Sequence, residues 1–123
     1  MDTVDTISKR LEAFASKGLI VEHKKQNSSG GYTKFIIKTK LGDSIVIENG
    51  YDEVFRVIFK DVYSYREFVY NDSDRGRVIE SVLDIAKSFA KGSYEEYSYS
   101  RANKELTREL IIFGDNSSML SVL

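Results

Sequence analysis

Between positions 4 and 14 the apolar residues Val4, Ile7, Leu11 and Phe14 recur at three- and four-residue spacing. That period puts them on one stripe of a helix. Asp2 or Thr3 can cap its start and Gly18 suits the position just past its end, so the pattern predicts a helix over Val4–Lys17. The period then shortens. Leu19–Lys25 is rich in β-formers and stops at the turn cluster Gln26-Asn27-Ser28-Ser29-Gly30-Gly31. Across Tyr32–Lys40 the alternation is strict: Thr33, Phe35, Ile37 and Thr39 share one face, and Tyr32, Lys34, Ile36, Lys38 and Lys40 the other. Leu41-Gly42-Asp43 reads as a turn, Ser44–Glu48 as a strand, and Asn49-Gly50 as a strong hairpin-turn signal. Val54–Phe59 and Val62–Tyr70 follow, with a tight turn expected at Lys60-Asp61. Connections this short join antiparallel strands only, so the five segments predict a meander.

Asn71-Asp72-Ser73-Asp74 interrupts the strand pattern and can cap a helix, with capping the expected role of the Asp72–Asp74 pair. Val78, Val82, Ile85, Ala86 and Phe89 then form a second helical stripe, widened by Ile79 and Leu83 and closed by Gly92, over Arg75–Lys91. Tyr94–Ser100 and Leu106–Phe113 read as a strand pair linked near Ala102-Asn103-Lys104, with a short helix over Lys104–Ile112 as the alternative. A short apolar tail, Met119–Leu123, ends the chain. Consecutive strands flanked by helices predict an α+β protein: an antiparallel sheet of five to seven strands, with the N-terminal and second helices packed on one face. The expected core sets the second stripe against Phe35, Ile37, Ile45, Ile47, Val57 and Phe59.

At 123 residues the chain fits a single domain spanning 1–123, long enough to bury a core without staples. Cysteine is absent and His23 is the only histidine, which excludes disulfides and Cys/His zinc sites; no metal and no cofactor are expected. The acidic start Met1-Asp2-Thr3-Val4-Asp5 is unlike a secretory signal, and no apolar run approaches the ~20 residues of a membrane span. The expected location is cytoplasmic, with no membrane partner.

Charge is unevenly spread. Residues 1–41 carry eight Lys/Arg and four Asp/Glu, a net of +4; residues 42–123 carry ten and fifteen, a net of −5; together these give the overall −1. Catalytic groupings are missing. His23 lies in a predicted strand with Glu22 on the opposite face, and no Gly-x-Ser-x-Gly elbow, Walker loop or Gly-x-Gly-x-x-Gly run occurs. Asp52-Glu53 reads as a solvated pair after a turn. Lys34, Lys38 and Lys40 share a face with Tyr32 and Ile36, with Lys24 and Lys25 on the neighbouring strand. Such a sheet can hold single-stranded nucleic acid, but the slightly acidic pI of 5.9 and the frequency of lysine on solvated sheets disfavour that partner.

The most suggestive cluster is Tyr94-Glu95-Glu96-Tyr97-Ser98-Tyr99. In an extended chain Tyr97 and Tyr99 point one way, and Tyr94, Glu96 and Ser98 the other. Tyrosine offers large contact area with few rotors, and carboxylates beside it suit a basic protein. The alternative is an edge strand whose rings rest on the second helix. Glu95, Glu96, Tyr97 and Tyr99, joined by Asp72 and Asp74, are the candidate partner-binding residues.

The order of elements over Ser44–Phe113 resembles the small immunity proteins that accompany bacterial polymorphic and contact-dependent toxins. The likeness lies in the strands Ile45-Val46-Ile47, Val54–Phe59 and Val62–Tyr70, the acidic turn Asn71–Asp74, one amphipathic helix and a tyrosine-rich strand pair. It implies a cytosolic, non-enzymatic protein that neutralises a basic toxin domain by direct binding. The alternatives are a small ligand-binding or enzymatic α+β domain with a pocket between sheet and helices, and a nucleic-acid-associated bacterial or phage protein. The sequence leaves the oligomeric state open.

Overall fold

The computed structural model of the protein describes residues 2–28, 31–51, 53–113 and 117–122, with backbone alone at 28, 105, 106 and 117–122. Helix α1 spans Thr3–Ser16. The Asp2 carboxylate accepts from the Asp5 backbone N–H at 2.8 Å, satisfying one of the donors that a helix start leaves open. Gly18, at φ +76°, turns the chain out of the helix.

The strands β1 (Ile20–Ser28), β2 (Tyr32–Thr39), β3 (Ser44–Gly50), β4 (Val54–Phe59) and β5 (Tyr63–Phe68) pair antiparallel in chain order, the expected meander. Lys60 and Asp61, both at positive φ, make the tight turn between β4 and β5. Asn49-Gly50 is not a turn. Both residues stay in the ladder, Asn49 opposite Phe55 and Gly50 opposite Val54, and the reversal comes just after them, with Tyr51 at φ +54°. Gly50 lies beneath the Tyr32 ring: a β-carbon on it would stand 2.7 Å from Tyr32 Cε1. Ser29 and Gly30 of the expected β1–β2 turn, and Asp52, lie outside the described residues.

Helix α2 (Arg75–Ala90) follows a 3-10 turn at Asp72–Asp74. Here capping differs from the expectation. Asn71 Oδ1 accepts the Asp74 N–H at 3.1 Å, while Asp74, the residue before α2, makes no side-chain cap bond. The short 3-10 turn moves the reversal back by one element, so the amide at its own start takes the role assigned to the aspartates.

The rungs Ile37–Ile45–Phe59 and Phe35–Ile47–Val57 line one face of the meander. They are buried together with Ile7, Leu11 and Phe14 of α1 and Val78, Val82, Ile85, Ala86 and Phe89 of α2. Both helices therefore cover the same side of the sheet. A second ladder, β6 (Tyr94–Arg101), β7 (Lys104–Ile112) and β8 (Ser117–Val122), closes the molecule. Residues 104–112 are strand rather than helix, and the C-terminal tail supplies an eighth strand. Ala102 and Asn103, at φ +52° and +63°, form the two-residue hairpin turn whose twist suits antiparallel strands. β8 lies beside β5. Leu110 and Ile112 of β7 enter the common core, and Tyr94 stacks on Phe89 with ring centroids 4.5 Å apart. The protein is thus α+β, with one core shared by two helices and two antiparallel ladders.

Candidate functional site

The sheet's turns and β6 are tied together by a polar clasp. Glu96 accepts from the Tyr63 hydroxyl at 2.5 Å and from Lys60 Nζ at 3.0 Å. Tyr94 donates its hydroxyl to Asp43 at 2.8 Å, and Lys60 Nζ lies 5.0 Å above the Tyr94 ring. The Tyr63 bond, reinforced by Lys60, holds the Glu96 carboxyl below its ordinary value despite partial burial. Burial opposes the charge of Lys60, but the bonds to Glu96 and Tyr94 and the nearby Asp43 outweigh it and raise its pKa. Burial and the Asp43 bond raise the Tyr94 phenol. The shifts favour the charged forms of Glu96 and Lys60 and the neutral form of Tyr94.

Because strand side chains alternate, Glu95, Tyr97 and Tyr99 point away from this clasp. Tyr97 is 42% exposed and Tyr99 49%. They do not rest on α2; Tyr94 does. Cross-strand pairing sets Glu109 of β7 opposite Tyr97, on the same outer face. The Tyr97 hydroxyl donates to Glu95, and the Tyr99 hydroxyl donates to Glu109 at 3.1 Å. Those bonds to carboxylates raise both phenols above their ordinary value. The result is two exposed rings with two carboxylates at their polar tips.

Of the six candidate residues, the structure brings Glu95, Tyr97 and Tyr99 onto one surface. Glu96 is turned to the other side of β6 and engaged in the clasp. Asp72 and Asp74 precede α2 whereas Glu95 follows it, and 16 residues of helix measure about 24 Å. Asp72 pairs with Arg75 at 3.1 Å. Glu109 was not picked out from sequence, since only the hairpin register reveals that it joins the tyrosines.

A second surface is the outer face of the meander, which neither helix covers. Registers place Lys34, Glu48, Arg56 and Arg66 on one rung and Tyr32, Gly50, Val54 and Phe68 on the next. All of these but Lys34 line a groove of about 430 Å³. Arg56 Nε donates to Glu48 at 2.7 Å. Arg56, Arg66 and Phe68 extend the lysine-bearing face legible in the sequence. A further groove of about 290 Å³, beside Lys24, Ile36 and Lys38, lies on the same face. Between sheet and helices, where a pocket was the alternative expectation, Phe59 packs on Phe89 at a centroid distance of 4.6 Å. His23 sits half-buried on β1.

Among the described residues no group of three Asp, Glu or His side chains could hold a metal ion, and no helix is long and apolar enough to cross a membrane. No family model, curated protein or solved structure matches the chain.

Proposed function

We propose that this chain is a non-enzymatic protein-binding module that docks a basic protein through the outer face of β6 and β7, and that it acts as an immunity-type inhibitor of a cognate bacterial toxin. The observation that carries the reading is the exposed pair Tyr97 and Tyr99, each hydroxyl bonded to a carboxylate. Tyrosine has few rotors for its contact area, so an exposed pair converts contact into affinity with a modest entropic penalty. Glu95 and Glu109 add negative potential that steers a basic partner into register. The clasp supports a non-enzymatic reading, because its ionisable groups hold their charge states more firmly instead of approaching neutrality. The toxin-inhibitor form rests on the resemblance over Ser44–Phe113.

The test is a titration of the purified chain with the products of the genes flanking its own, followed by Tyr97→Ala and Tyr99→Ala. Binding of a basic toxin domain that weakens in both variants is the expected result. Normal binding by both variants removes this face as the interface.

A further inference from the structure

The outer face of the five-stranded sheet carries charge opposite to that of the molecule. Along the registered strands it presents Lys24, Lys34, Lys38, Arg56 and Arg66 against Glu22 and Glu48, a net of +3, on a chain whose overall charge is −1. One arrangement within it is unfavourable to the fold. Arg56 and Arg66 are directly opposite each other on β4 and β5, and like charges so placed destabilise a sheet. Glu48 engages Arg56, while Arg66 is exposed and makes no ion pair among the described residues. A bound anion would relieve the repulsion that the fold leaves standing.

The neighbouring groups define the anion further. On the next rung, Tyr32 and Phe68, 45% and 46% exposed, stand on either side of Gly50 and Val54. On the other side of the charged rung, Ile36, Val46 and Ile58 form a half-buried aliphatic strip. Cations alone would suit an acidic peptide. Cations between exposed rings and a flat apolar strip suit a chain that alternates phosphates with planar bases. We propose that this face binds single-stranded nucleic acid, with Arg66, Arg56 and Lys34 on the backbone phosphates and Phe68 and Tyr32 stacked on bases. The site goes beyond the protein-partner reading and lies on a different surface from Tyr97 and Tyr99, so either can fail without the other.

The test is fluorescence anisotropy of a labelled oligothymidylate of about 20 nucleotides at about 50 mM salt. The wild-type chain should bind, with log K falling against log salt at a slope of about −2, as expected for about three phosphate contacts on a single strand. Phe68→Ala should weaken binding about tenfold, in keeping with the loss of one stacked base. Arg66→Glu should weaken it at least about tenfold while raising the melting temperature, because the new carboxylate faces Arg56 across the ladder. That opposition separates a binding role from a folding role. Lys9→Glu makes the same charge change on the exposed side of α1 and should alter binding less than about twofold. Three results would overturn the proposal: no binding by the wild-type chain, equal losses in Arg66→Glu and Lys9→Glu, or displacement of the oligonucleotide by an equal concentration of polyglutamate, which would mark an acidic-peptide site.

Discussion

The ring of Tyr32 lies over Gly50 on the adjacent strand, and the ring of Tyr51, next to Gly50, lies over Gly31, next to Tyr32. A β-carbon on Gly50 would come within 2.7 Å of the Tyr32 ring, and one on Gly31 within 2.5 Å of the Tyr51 ring. The two rings meet edge to face, 5.6 Å between centroids. Each tyrosine covers the gap left by the glycine beside the other, a cross-strand compensation for residues that otherwise weaken a sheet.

Gly50→Ala should therefore cost under about 1 kcal/mol, by pushing the half-exposed Tyr32 ring aside. In a Tyr32→Ala background the same substitution should be neutral or stabilising, because alanine loses less backbone entropy than glycine in a strand. A double-mutant cycle by urea denaturation checks the change of sign. Additive effects would mean that the ring and the glycine are independent.

Phe89 is fully buried, 4.6 Å from the Phe59 ring and 4.5 Å from that of Tyr94. Phe89→Ala should cost about 3–5 kcal/mol in chemical denaturation. That is a large share of the about 5–15 kcal/mol typical of a domain, so the denaturation midpoint should fall sharply. A loss under about 1 kcal/mol would contradict the packing that joins the two ladders.

The clasp makes stability pH-dependent at both extremes. Glu96 has a depressed folded pKa, so its contribution is present above the unfolded carboxylate value and disappears as pH falls through the folded one. Lys60 has a raised folded pKa, so its contribution is present below the unfolded value and disappears as pH rises through the folded one. Glu96→Gln should flatten the acid limb between about pH 5 and pH 3. Tyr63→Phe, which deletes the largest cause of the depression, should shift that limb to higher pH. Melting curves across pH give both readings; identical acid limbs in all three proteins would rule the clasp out as a stabilising contact.

Ala102 and Asn103 occupy left-handed backbone at the tip of the β6–β7 hairpin. Alanine is a poor choice there, since asparagine followed by glycine is the preferred pair for this turn. Replacing the two residues with Asn and Gly, Ala102→Asn with Asn103→Gly, should stabilise the protein by about 1 kcal/mol. Thermal denaturation measures it, and an unchanged melting point would show that the hairpin tip frays before the core unfolds.

Both helices were legible from stripes of apolar residues, and the meander from alternation broken by turn residues. The errors have local causes. Asn49-Gly50 carried a turn signature because sequence cannot tell a glycine needed for φ from one needed to admit a ring. Met119–Val122 is short and follows polar turn residues, so nothing in it announces a strand until β7 offers a ladder. Asp72 and Asp74 looked like caps, but Asn71 begins the turn. The surfaces were half legible. Alternation put Tyr97 with Tyr99 and Glu96 opposite them, as found; the joining of Glu109, or of Arg66 with Arg56, depends on hairpin register, which the residue pattern leaves free by one or two positions.

The proposed interface makes Tyr97 and Tyr99 anchors for a protein partner and not parts of the core. Its most direct test is a paired measurement on Tyr97→Ala and Tyr99→Ala: calorimetric titration against the flanking-gene product that binds the wild-type chain, and thermal melting of each variant alone. The expected result is a loss of at least about 2 kcal/mol of affinity in at least one variant, with melting temperatures unchanged. Wild-type affinity in both variants, no binding of the wild-type chain by any flanking-gene product, or a fall in melting temperature that matches the loss of binding would rule the interface out.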